Sequence, residues 1–300
     1  MKLSRVSNTP ILSPNPENLW EAGAVFNCAA VAENEKTYLI YRATDVSSKG
    51  SDGIYYNSFG IAVSKDGIHF QRESEPVLSP SPGQEARGPE DPRIVKIDGI
   101  YQMLYTGYGG RFPSDWRVCR AESTDLHHWN RKGVVLDEPN KDASLFPEKI
   151  SGYYVMLHRR PPDIWIAYSK NMINWENHSI VMQTVPGSDW EGLKIGIAGP
   201  PFKTSEGWAL IYHGVGTNRA NQNVYSLGIS LLDGSNPGKV LYRQTTPILE
   251  PELEWEMNGY VSNVVFSCGQ IIRNEVLTVY YAGADTAIGA ACISMSKLFS

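Results

Sequence analysis

The densest run of chemically useful residues in the sequence is the segment GPEDPR at 88–93. Its two adjacent carboxyls stand between prolines, and a carboxyl held on stiff backbone suits general acid catalysis. Neighbouring side chains on a strand point to opposite faces, so we expect only one of Glu90 and Asp91 to face a common site. Taken alone, these residues leave open a turn whose acids bind backbone amides or pair with Arg93.

Other polar and ionisable side chains recur at the ends of similar segments along the chain. Packing alone does not require them, because the corresponding positions elsewhere in the chain are apolar. We therefore treat them as candidates for a binding or catalytic site. These candidates are Asn27, Arg42, Asp45, Tyr108, Glu148, Arg159, Arg160, His213, Asn263 and Asp285.

The elements that must position these side chains form a repeat. Four kinds of segment recur in a fixed order: a Pro-rich edge segment, a segment that often follows Trp-Glu, an alternating aromatic and aliphatic strand, and a strand with a Ser/Asp turn. The alternating strands lie at 37–45, 101–109, 153–161, 208–216 and 277–285. The pattern predicts an all-β fold over residues 1–300, a single five-bladed β-propeller with four-stranded antiparallel blades. A sandwich or a β-helix is the alternative.

The two ends of the chain complement each other. Pro-rich segments lie at 10–14, 76–80, 134–139, 179–186 and 247–251, so the last repeat has none after it and the N-terminus begins with one. We therefore expect the N-terminal strand to complete the last blade and close the ring. The first strands of the blades then line a central channel, and the site is expected where their ends converge at one mouth.

An ordered series of motifs resembles glycoside hydrolase family 130, the mannoside phosphorylases and related β-mannosidases. The motifs are FN at 26–27, YR at 41–42, GPEDPR at 88–93, LYTGY at 104–108, KDASLFPEKI at 141–150, MLHRRP at 156–161, LKIGIAGPP at 193–201, GWALIYHGV at 207–215 and YYAGAD at 280–285. They span nearly the whole chain. A lone EDPR would be weak, whereas the ordered series is specific.

The resemblance implies roles for individual residues. Asp91 matches the general acid of the family, which protonates the glycosidic oxygen through a hydroxyl of the bound mannose. Asn27, Arg42 and Asp285 match positions that hold this mannose, and Asp45, Tyr108 and Asn263 are added here as substrate-binding candidates. The residues that resemble the orthophosphate-binding set are Arg159 and Arg160, either of which could be the ligand, with Lys194, His213 and Tyr225.

Phosphorolysis and hydrolysis place different demands on such a site. An inverting hydrolase needs a second carboxylate, about 6.5 to 9.5 Å from the acid, to activate water. A phosphorylase must instead hold a dianion, which suits arginine forks and a lysine. The cations of this chain favour orthophosphate as co-substrate. Glu148, expected on an inner strand, keeps hydrolysis open, and a non-catalytic glycan-binding propeller is a third possibility.

The sequence therefore predicts inverting phosphorolysis of a β-mannoside to α-D-mannose 1-phosphate. Among members of the family, this compact chain resembles the enzymes acting on β-1,2-mannobiose or β-1,2-oligomannan. The acceptor sugar is expected to meet the loops 46–57 and 109–117. Phe112 and Trp116 in the second loop are candidates for contact with another subunit of a homo-oligomer.

Composition excludes several other classes of function. The net charge of -5 and the absence of a basic, aromatic-rich cluster argue against a nucleic-acid partner. No apolar stretch is long enough for a membrane span or a signal peptide, so we expect a cytoplasmic protein. The four cysteines lack C-x-x-C spacing, and no His/Asp/Glu cluster has ligand spacing. We therefore expect neither a metal nor an organic cofactor.

Overall fold

Five antiparallel β-sheets form a ring in the computed structural model, which describes residues 1–45 and 56–299. Blade 1 comprises β2 (Ala24–Glu33), β3 (Lys36–Thr44), β4 (Asn57–Ser64) and β5 (Gln71–Arg72). Blade 2 comprises β6 (Gly88–Ile97), β7 (Ile100–Tyr108), β8 (Trp116–Ser123) and β9 (Asn130–Leu136). Blade 3 comprises β10 (Lys141–Leu145), β11 (Tyr154–Arg160), β12 (Asp163–Ser169) and β13 (Glu176–Met182).

The remaining two blades complete the ring. Blade 4 comprises β14 (Lys194–Ile197), β15 (Phe202–Lys203), β16 (Trp208–Thr217), β17 (Asn223–Leu232) and β18 (Val240–Arg243). Blade 5 comprises β19 (Val265–Arg273), β20 (Val276–Gly283), β21 (Ala287–Ser294) and the N-terminal β1 (Ser4–Arg5). The only α-helix of the described residues, α1 (Glu254–Met257), and two 3₁₀ turns at Leu19–Glu21 and Met295–Lys297 lie between or after blades. Within the described ranges, no helix has the length and apolar character that crossing a membrane requires.

The N-terminal strand closes the ring, so the predicted propeller and its closure are confirmed. The closing residues differ from the expected segment 10–14. Ser4 and Arg5 pair with Cys292 and Ala291, whereas Leu12 adds a single bridge to Ile288.

The Pro-rich segments are outermost strands in only some of the blades. Segments 134–139 and 179–186 overlap β9 and β13, in agreement with the prediction. Segments 76–80 and 247–251 instead follow the short outer strands β5 and β18, and each makes one bridge to its own blade, through Leu78 to Phe59 and through Leu249 to Leu227. A proline nitrogen cannot donate to a ladder, and so the pairing does not extend.

Each pair of neighbouring blades encloses its own hydrophobic cluster. Between blades 1 and 2, for example, Ile40 and Phe59 pack with Met103 and Tyr105. Corresponding clusters join blades 2 and 3, 3 and 4, 4 and 5, and 5 and 1. Every blade therefore buries apolar side chains on both faces, and this alternation of strand residues holds the ring together.

Four blades share a buried contact that we call the Glu–Tyr–Arg triad. The Glu precedes the first strand, the Tyr lies on the second strand, and the Arg comes from the outermost strand; the Tyr hydroxyl donates to the Glu at 2.7–3.0 Å. The triads are Glu21–Tyr41–Arg72, Glu85–Tyr105–Arg131, Glu191–Tyr212–Arg243 and Glu256–Tyr281–Arg5. In blades 1, 4 and 5, a Trp before the Glu packs on the Tyr ring at 5.7–6.2 Å, which explains the recurring Trp-Glu.

Blade 3, all of whose strands are described, departs from this pattern. Leu157 occupies the Tyr position, and Glu138 pairs with Arg160 at 2.7 Å. The neighbouring His158 lies 2.9 Å from the amide of Asn140 and 3.0 Å from His178. Burial lowers the pKa of His158 to about 3, so the imidazole is neutral.

Arg93 crosses the centre of the ring. It extends from β6 of blade 2, is 2% exposed, and donates to the carbonyl oxygens of Ala198 at 2.6 Å and Ile197 at 2.7 Å. These acceptors belong to blade 4, which is not a neighbour of blade 2. The guanidinium therefore occupies the channel axis and ties opposite sides of the ring.

Candidate active site

A β-bulge recurs in the first strands of blades 1, 2 and 3. The strand register shifts between Phe26 and Ala29, between Glu90 and Arg93, and between Lys141 and Ser144. Each bulge holds one polar residue with positive φ: Asn27 at 45°, Asp91 at 55° and Asp142 at 56°. Asn and Asp tolerate this conformation better than most residues. All three residues line one cavity, so the bulges direct them into a common site.

Asp91 lies at the centre of a hydrogen-bonded set from blades 1 and 2. Its Oδ1 accepts from Asn27 Nδ2 at 2.8 Å and from an Arg42 NH group at 3.1 Å. Arg42 also donates to Glu90 Oε1 at 2.8 Å. Both acids reach the same arginine because the bulge interrupts the strand alternation between Glu90 and Arg93. Asp91 lines the cavity and Glu90 does not. Burial raises the pKa of Glu90.

Asp285 adds a third carboxyl beside Asp91. It follows β20 with φ at 51° and lines the same cavity. Burial raises the pKa of Asp285 to about 6, and the Asp91 carboxylate acts in the same direction while Arg42 opposes it. This carboxyl therefore changes its charge near neutral pH.

Three cations also line the cavity, namely Lys141, Arg159 and Lys194, and we call this part of its lining the cationic wall. The guanidinium of Arg159 forms an ion pair with Asp142, with a nitrogen 2.6 Å from Oδ2, and Lys194 Nζ lies 5.0 Å from the centre of the Tyr225 ring. Lys141 is the third cation of this wall. Burial lowers the pKa of Lys194, and the Arg159 charge adds to that effect. A bound anion would offset both the burial of Lys194 and its repulsion from Arg159, because it stabilises the charged ammonium.

Behind the cations lies a buried group that does not reach the open cavity. His213 is fully buried, and its Nε2 is 3.7 Å from Asp142 Oδ2. The imidazole packs against Phe266 with ring centres 4.6 Å apart. Burial lowers the pKa of His213 to about 3, so it is neutral at physiological pH.

A second cavity adjoins the first through shared residues. Arg42, Val261 and Asp285 line both, and Ala24, Phe26, Thr44 and Tyr260 complete the second. One side of this extended cleft is therefore charged and the other is mainly apolar and aromatic. Sugar rings, which combine apolar faces with hydroxyls, suit such a surface.

Of the twelve residues for which the sequence suggested a catalytic, sugar-binding or phosphate-binding role, seven line the first cavity and five lie outside both cavities. Those lining the first cavity are Asn27, Arg42, Asp91, Arg159, Lys194, Tyr225 and Asp285. Those outside both cavities are Asp45, Tyr108, Arg160, His213 and Asn263.

Each residue outside the cavities has a clear position. Arg160 points away from the site, where it pairs with Glu138 and lies 4.8 Å from the Trp165 ring. Asp45 directly follows β3 and Tyr108 ends β7. Asn263 supports the site through its backbone carbonyl, which accepts from the Tyr225 amide at 3.0 Å.

The prediction that Glu148 lies on an inner strand is wrong. β10 ends at Leu145, and Glu148 is exposed and pairs with Lys203 at 2.6 Å. The carboxylate that blade 3 contributes is Asp142, from the same KDASLFPEKI motif. Its sequence signal is its position three residues before an apolar pair, which Asn27 and Asp91 share.

Sequence reasoning also missed four other lining residues: Lys141, Val261, Val264 and Phe266. Lys141 Nζ lies 4.9 Å from the ring of Trp116, which is therefore partly covered and less available to a second subunit than expected. Of the predicted acceptor loops, residues 46–55 lie outside the described residues. No His, Cys, Asp and Glu side chains cluster as a metal site within residues 1–45 and 56–299.

Comparison with known proteins agrees with this geometry. Residues 7–300 match the model of glycoside hydrolase family 130, described as β-1,4-mannooligosaccharide phosphorylase. The chain is 56% identical over 298 residues to a 1,2-β-oligomannan phosphorylase of Thermoanaerobacter sp., with 99% of each chain covered. It is 54% identical over 303 residues to a β-1,2-mannobiose phosphorylase of the same organism, again with 99% of each covered. A solved β-1,2-mannobiose phosphorylase of Listeria innocua, in complex with β-1,2-mannobiose, superposes with a TM-score of 0.87 at 27% identity, over 99% of this chain and 98% of that one.

Proposed function

The chain belongs to glycoside hydrolase family 130, and from this premise we propose that it cleaves β-1,2-linked mannosides by inverting phosphorolysis. The chain is a phosphorylase that cleaves β-mannosides. The β-1,2 linkage follows the two relatives at 56% and 54% identity, whose names specify it. The observation that supports the mechanism is one cavity lined both by Asp91 and by the cations Arg159, Lys194 and Lys141.

Asp91 is the proposed general acid. Within residues 1–45 and 56–299, the side-chain hydrogen bonds that its carboxyl accepts come from Asn27 and Arg42 and both use Oδ1, and we propose that Oδ2 meets a sugar hydroxyl. The proton passes from Asp91 to this hydroxyl, and the hydroxyl gives its own proton to the glycosidic oxygen as the bond to the anomeric carbon breaks. The leaving acceptor departs as a neutral alcohol, and Asp91 becomes a carboxylate held by Arg42.

Orthophosphate is the proposed nucleophile. One of its oxygens forms the new bond to the anomeric carbon from the face opposite the leaving oxygen, so a β-mannoside yields α-D-mannose 1-phosphate. Arg159, Lys194 and Lys141 supply the positive charge that holds the dianion in line. Asn27, Arg42 and Asp285 are proposed to hold the mannose. Arg42 and Asp285 line both cavities, and Asn27 donates to the proposed acid.

The positions of the remaining carboxylates argue against hydrolysis. Glu148 is outside the cavity and paired with Lys203. Asp142 also lines the cavity, but Arg159 and Arg93 hold its pKa below the usual range despite burial, which makes it a weak base. Orthophosphate needs no such base, since it is already a nucleophile.

The test is a product analysis with and without phosphate. The purified chain is incubated with β-1,2-mannobiose, and mannose 1-phosphate and mannose are quantified together. We expect one mannose 1-phosphate per mannose with orthophosphate, and neither product without it. Release of two mannoses per disaccharide at the same rate in both reactions would overturn the proposal. Glu148→Gln is the matched control and should behave like the unaltered enzyme, since this acid lies outside the site.

Two further expectations accompany this function. A cytoplasmic location and a homo-oligomer remain predictions. Phe112 is 48% exposed in the 109–117 loop, so it could contact another subunit. Size-exclusion chromatography with light scattering, with Phe112→Ser compared with the unaltered chain, would test this contact.

A further inference from the structure

Asp142 is a buried carboxylate at the junction of three blades. It comes from β10 of blade 3 and is 1% exposed. Arg159 from the same blade approaches its Oδ2 at 2.6 Å, Arg93 from blade 2 lies 3.5 Å from Oδ1, and His213 from blade 4 lies 3.7 Å from Oδ2. A carboxylate is rarely buried so completely unless nearby cations compensate its charge.

The surroundings of Asp142 carry an excess of positive charge. Its pKa is lowered by the charges of Arg159, Arg93 and Lys141. Lys194 lines the same cavity. Without this buried carboxylate, the positive charges of Arg93, Arg159 and Lys194 would repel one another with no negative charge between them. Arg159 would then have no fixed partner in the described part of the site and would gain rotamer freedom.

The backbone around Asp142 leaves little freedom to this carboxylate. Its own φ is 56°, inside the bulge of β10. On the other side, a Cβ at Gly196 would lie 2.8 Å from Asp142 Oδ2 and 2.5 Å from the His213 ring. Glycine at 196 therefore permits the close approach of Asp142 and His213, which fixes the carboxylate against blade 4.

We propose that Asp142 is the positioning residue of the phosphate site, which holds Arg159 in a fixed orientation and offsets repulsion among the cations before orthophosphate binds. This inference rests on the proposed function of the cavity. Asp142 acts through Arg159 and is not a catalytic residue. A preorganised cation wall binds the dianion without reorganising at each turnover.

The test is the kinetics of Asp142→Asn, which removes the charge and retains the shape. We expect the KM for orthophosphate to rise on the order of tenfold or more, since Arg159 loses its partner. The kcat at saturating phosphate and the KM for β-1,2-mannobiose should stay within about twofold. Glu138→Gln is the matched control, because it removes the partner of the adjacent Arg160 outside the cavity and should leave all three constants unchanged.

A double-mutant cycle separates positioning from general damage to the fold. In an Arg159→Ala background, Asp142→Asn should cause no further rise in the KM for phosphate, because the residue that it positions is gone. A second variant, Gly196→Ala, displaces the carboxylate without changing any charge and should reproduce the rise if Asp142→Asn does not fold. An unchanged KM for phosphate in both single variants, or an equal rise in the KM for mannobiose, would overturn the inference. Production of mannose 1-phosphate by the unaltered enzyme is measured first, so failure of the proposed function is seen separately.

Discussion

Among the described residues, the two side chains that donate to the Asp91 carboxyl both bind a single oxygen, and this asymmetry bears on its chemistry. Asn27 and Arg42 hold Oδ1, so the other oxygen can serve the substrate. The sequence predicted the acid and its stiff backbone. It could not predict that Glu90 and Asp91 share Arg42, because a bulge depends on the pairing of two strands that are separate in the sequence.

Asp91→Asn should abolish turnover while leaving the fold intact. The amide keeps the shape of the side chain but cannot supply the proton, so we expect kcat to fall about 10²- to 10⁴-fold. The measurement is steady-state phosphorolysis of β-1,2-mannobiose, with thermal unfolding as a check on the fold. Full activity in this variant would remove Asp91 from the role of acid.

Lys194→Ala should weaken phosphate more than sugar. Removal of one charged contact to a dianion typically costs about 1.5–3 kcal/mol, which corresponds to a rise in the KM for phosphate of about 10- to 100-fold. Lys203→Ala, which alters an exposed pair with Glu148, is the control and should not affect this constant. A selective rise in the KM for mannobiose would contradict the assignment of Lys194 to phosphate.

Asp285 should make stability depend on pH in an unusual direction. Its pKa is about 6 in the folded chain and 3.8 when unperturbed, so the folded state binds the proton more tightly. Stability contributed by this group is therefore complete below about pH 4 and is lost as the pH rises to about 6. Urea unfolding at pH 4 and pH 7 should show that Asp285→Asn gains stability relative to the unaltered chain on going to pH 7. Parallel pH profiles for both proteins would contradict the raised pKa.

At the scale of the elements, the repeated triads explain which residues the strands require. Tyr41, Tyr212 and Tyr281 each pair across the strands with Gly60, Gly228 and Gly289, and a Cβ at these glycines would collide with the Tyr or Trp rings. In blade 2, no Trp precedes the Glu, and Cys119 stands opposite Tyr105. The sequence indicated the recurring Trp-Glu and Tyr, but their contacts join residues up to 52 positions apart in blade 4 and 251 apart in blade 5, and they are visible only in the fold.

Gly228→Ala should destabilise blade 4. The new methyl group would lie 2.4 Å from Trp190 and 2.7 Å from Tyr212, so the rings must move, and we expect the free energy of unfolding to fall. Overpacking of this kind costs about 1–3 kcal/mol. Gly238→Ala is the matched control, because its nearest atom is 3.4 Å away. Equal urea midpoints for the two variants would contradict this account of the triad.

The misplacement of Glu148 shows where pattern reasoning ends at this scale. The order of the strands was predicted correctly, but the first strand of blade 3 was placed several residues too late, and Asp142 was overlooked for that reason. A bulge inserts an extra residue into a strand without changing the apolar pattern. Repeats aligned by that pattern are therefore misaligned by a few residues in the first strands of the blades.

At the scale of the whole molecule, the ring depends on contacts between distant parts of the chain. Arg93 ties blades 2 and 4 across the axis, and Arg5 ties the N-terminus to Glu256 at 2.7 Å. The fold class, blade number and closure followed from the repeat. The residues at these junctions could not be predicted, since periodicity identifies faces and not partners.

Arg5→Ala should weaken the closure of the ring. It would leave the buried Glu256 with only Tyr281 and backbone amides as partners, and such a loss costs about 3–5 kcal/mol for a buried pair. Lys2→Ala is the control, because its pair with Glu250 is exposed and contributes little. The measurement is urea unfolding of both variants, and equal destabilisation would show that closure does not depend on Arg5.

Blade 3 lacks the Glu–Tyr–Arg triad that the other four blades contain. Because four blades each contain a triad, the ring does not need one in every blade. The blade without it can therefore carry other side chains at these positions. Blade 3 has lost the Tyr and the outer Arg, and it is the blade that carries Lys141, Asp142 and Arg159 into the cavity. All five blades contribute side chains to the cavity, but the blade without the triad supplies three charged ones, so copies of the same unit differ in how far they serve support or chemistry.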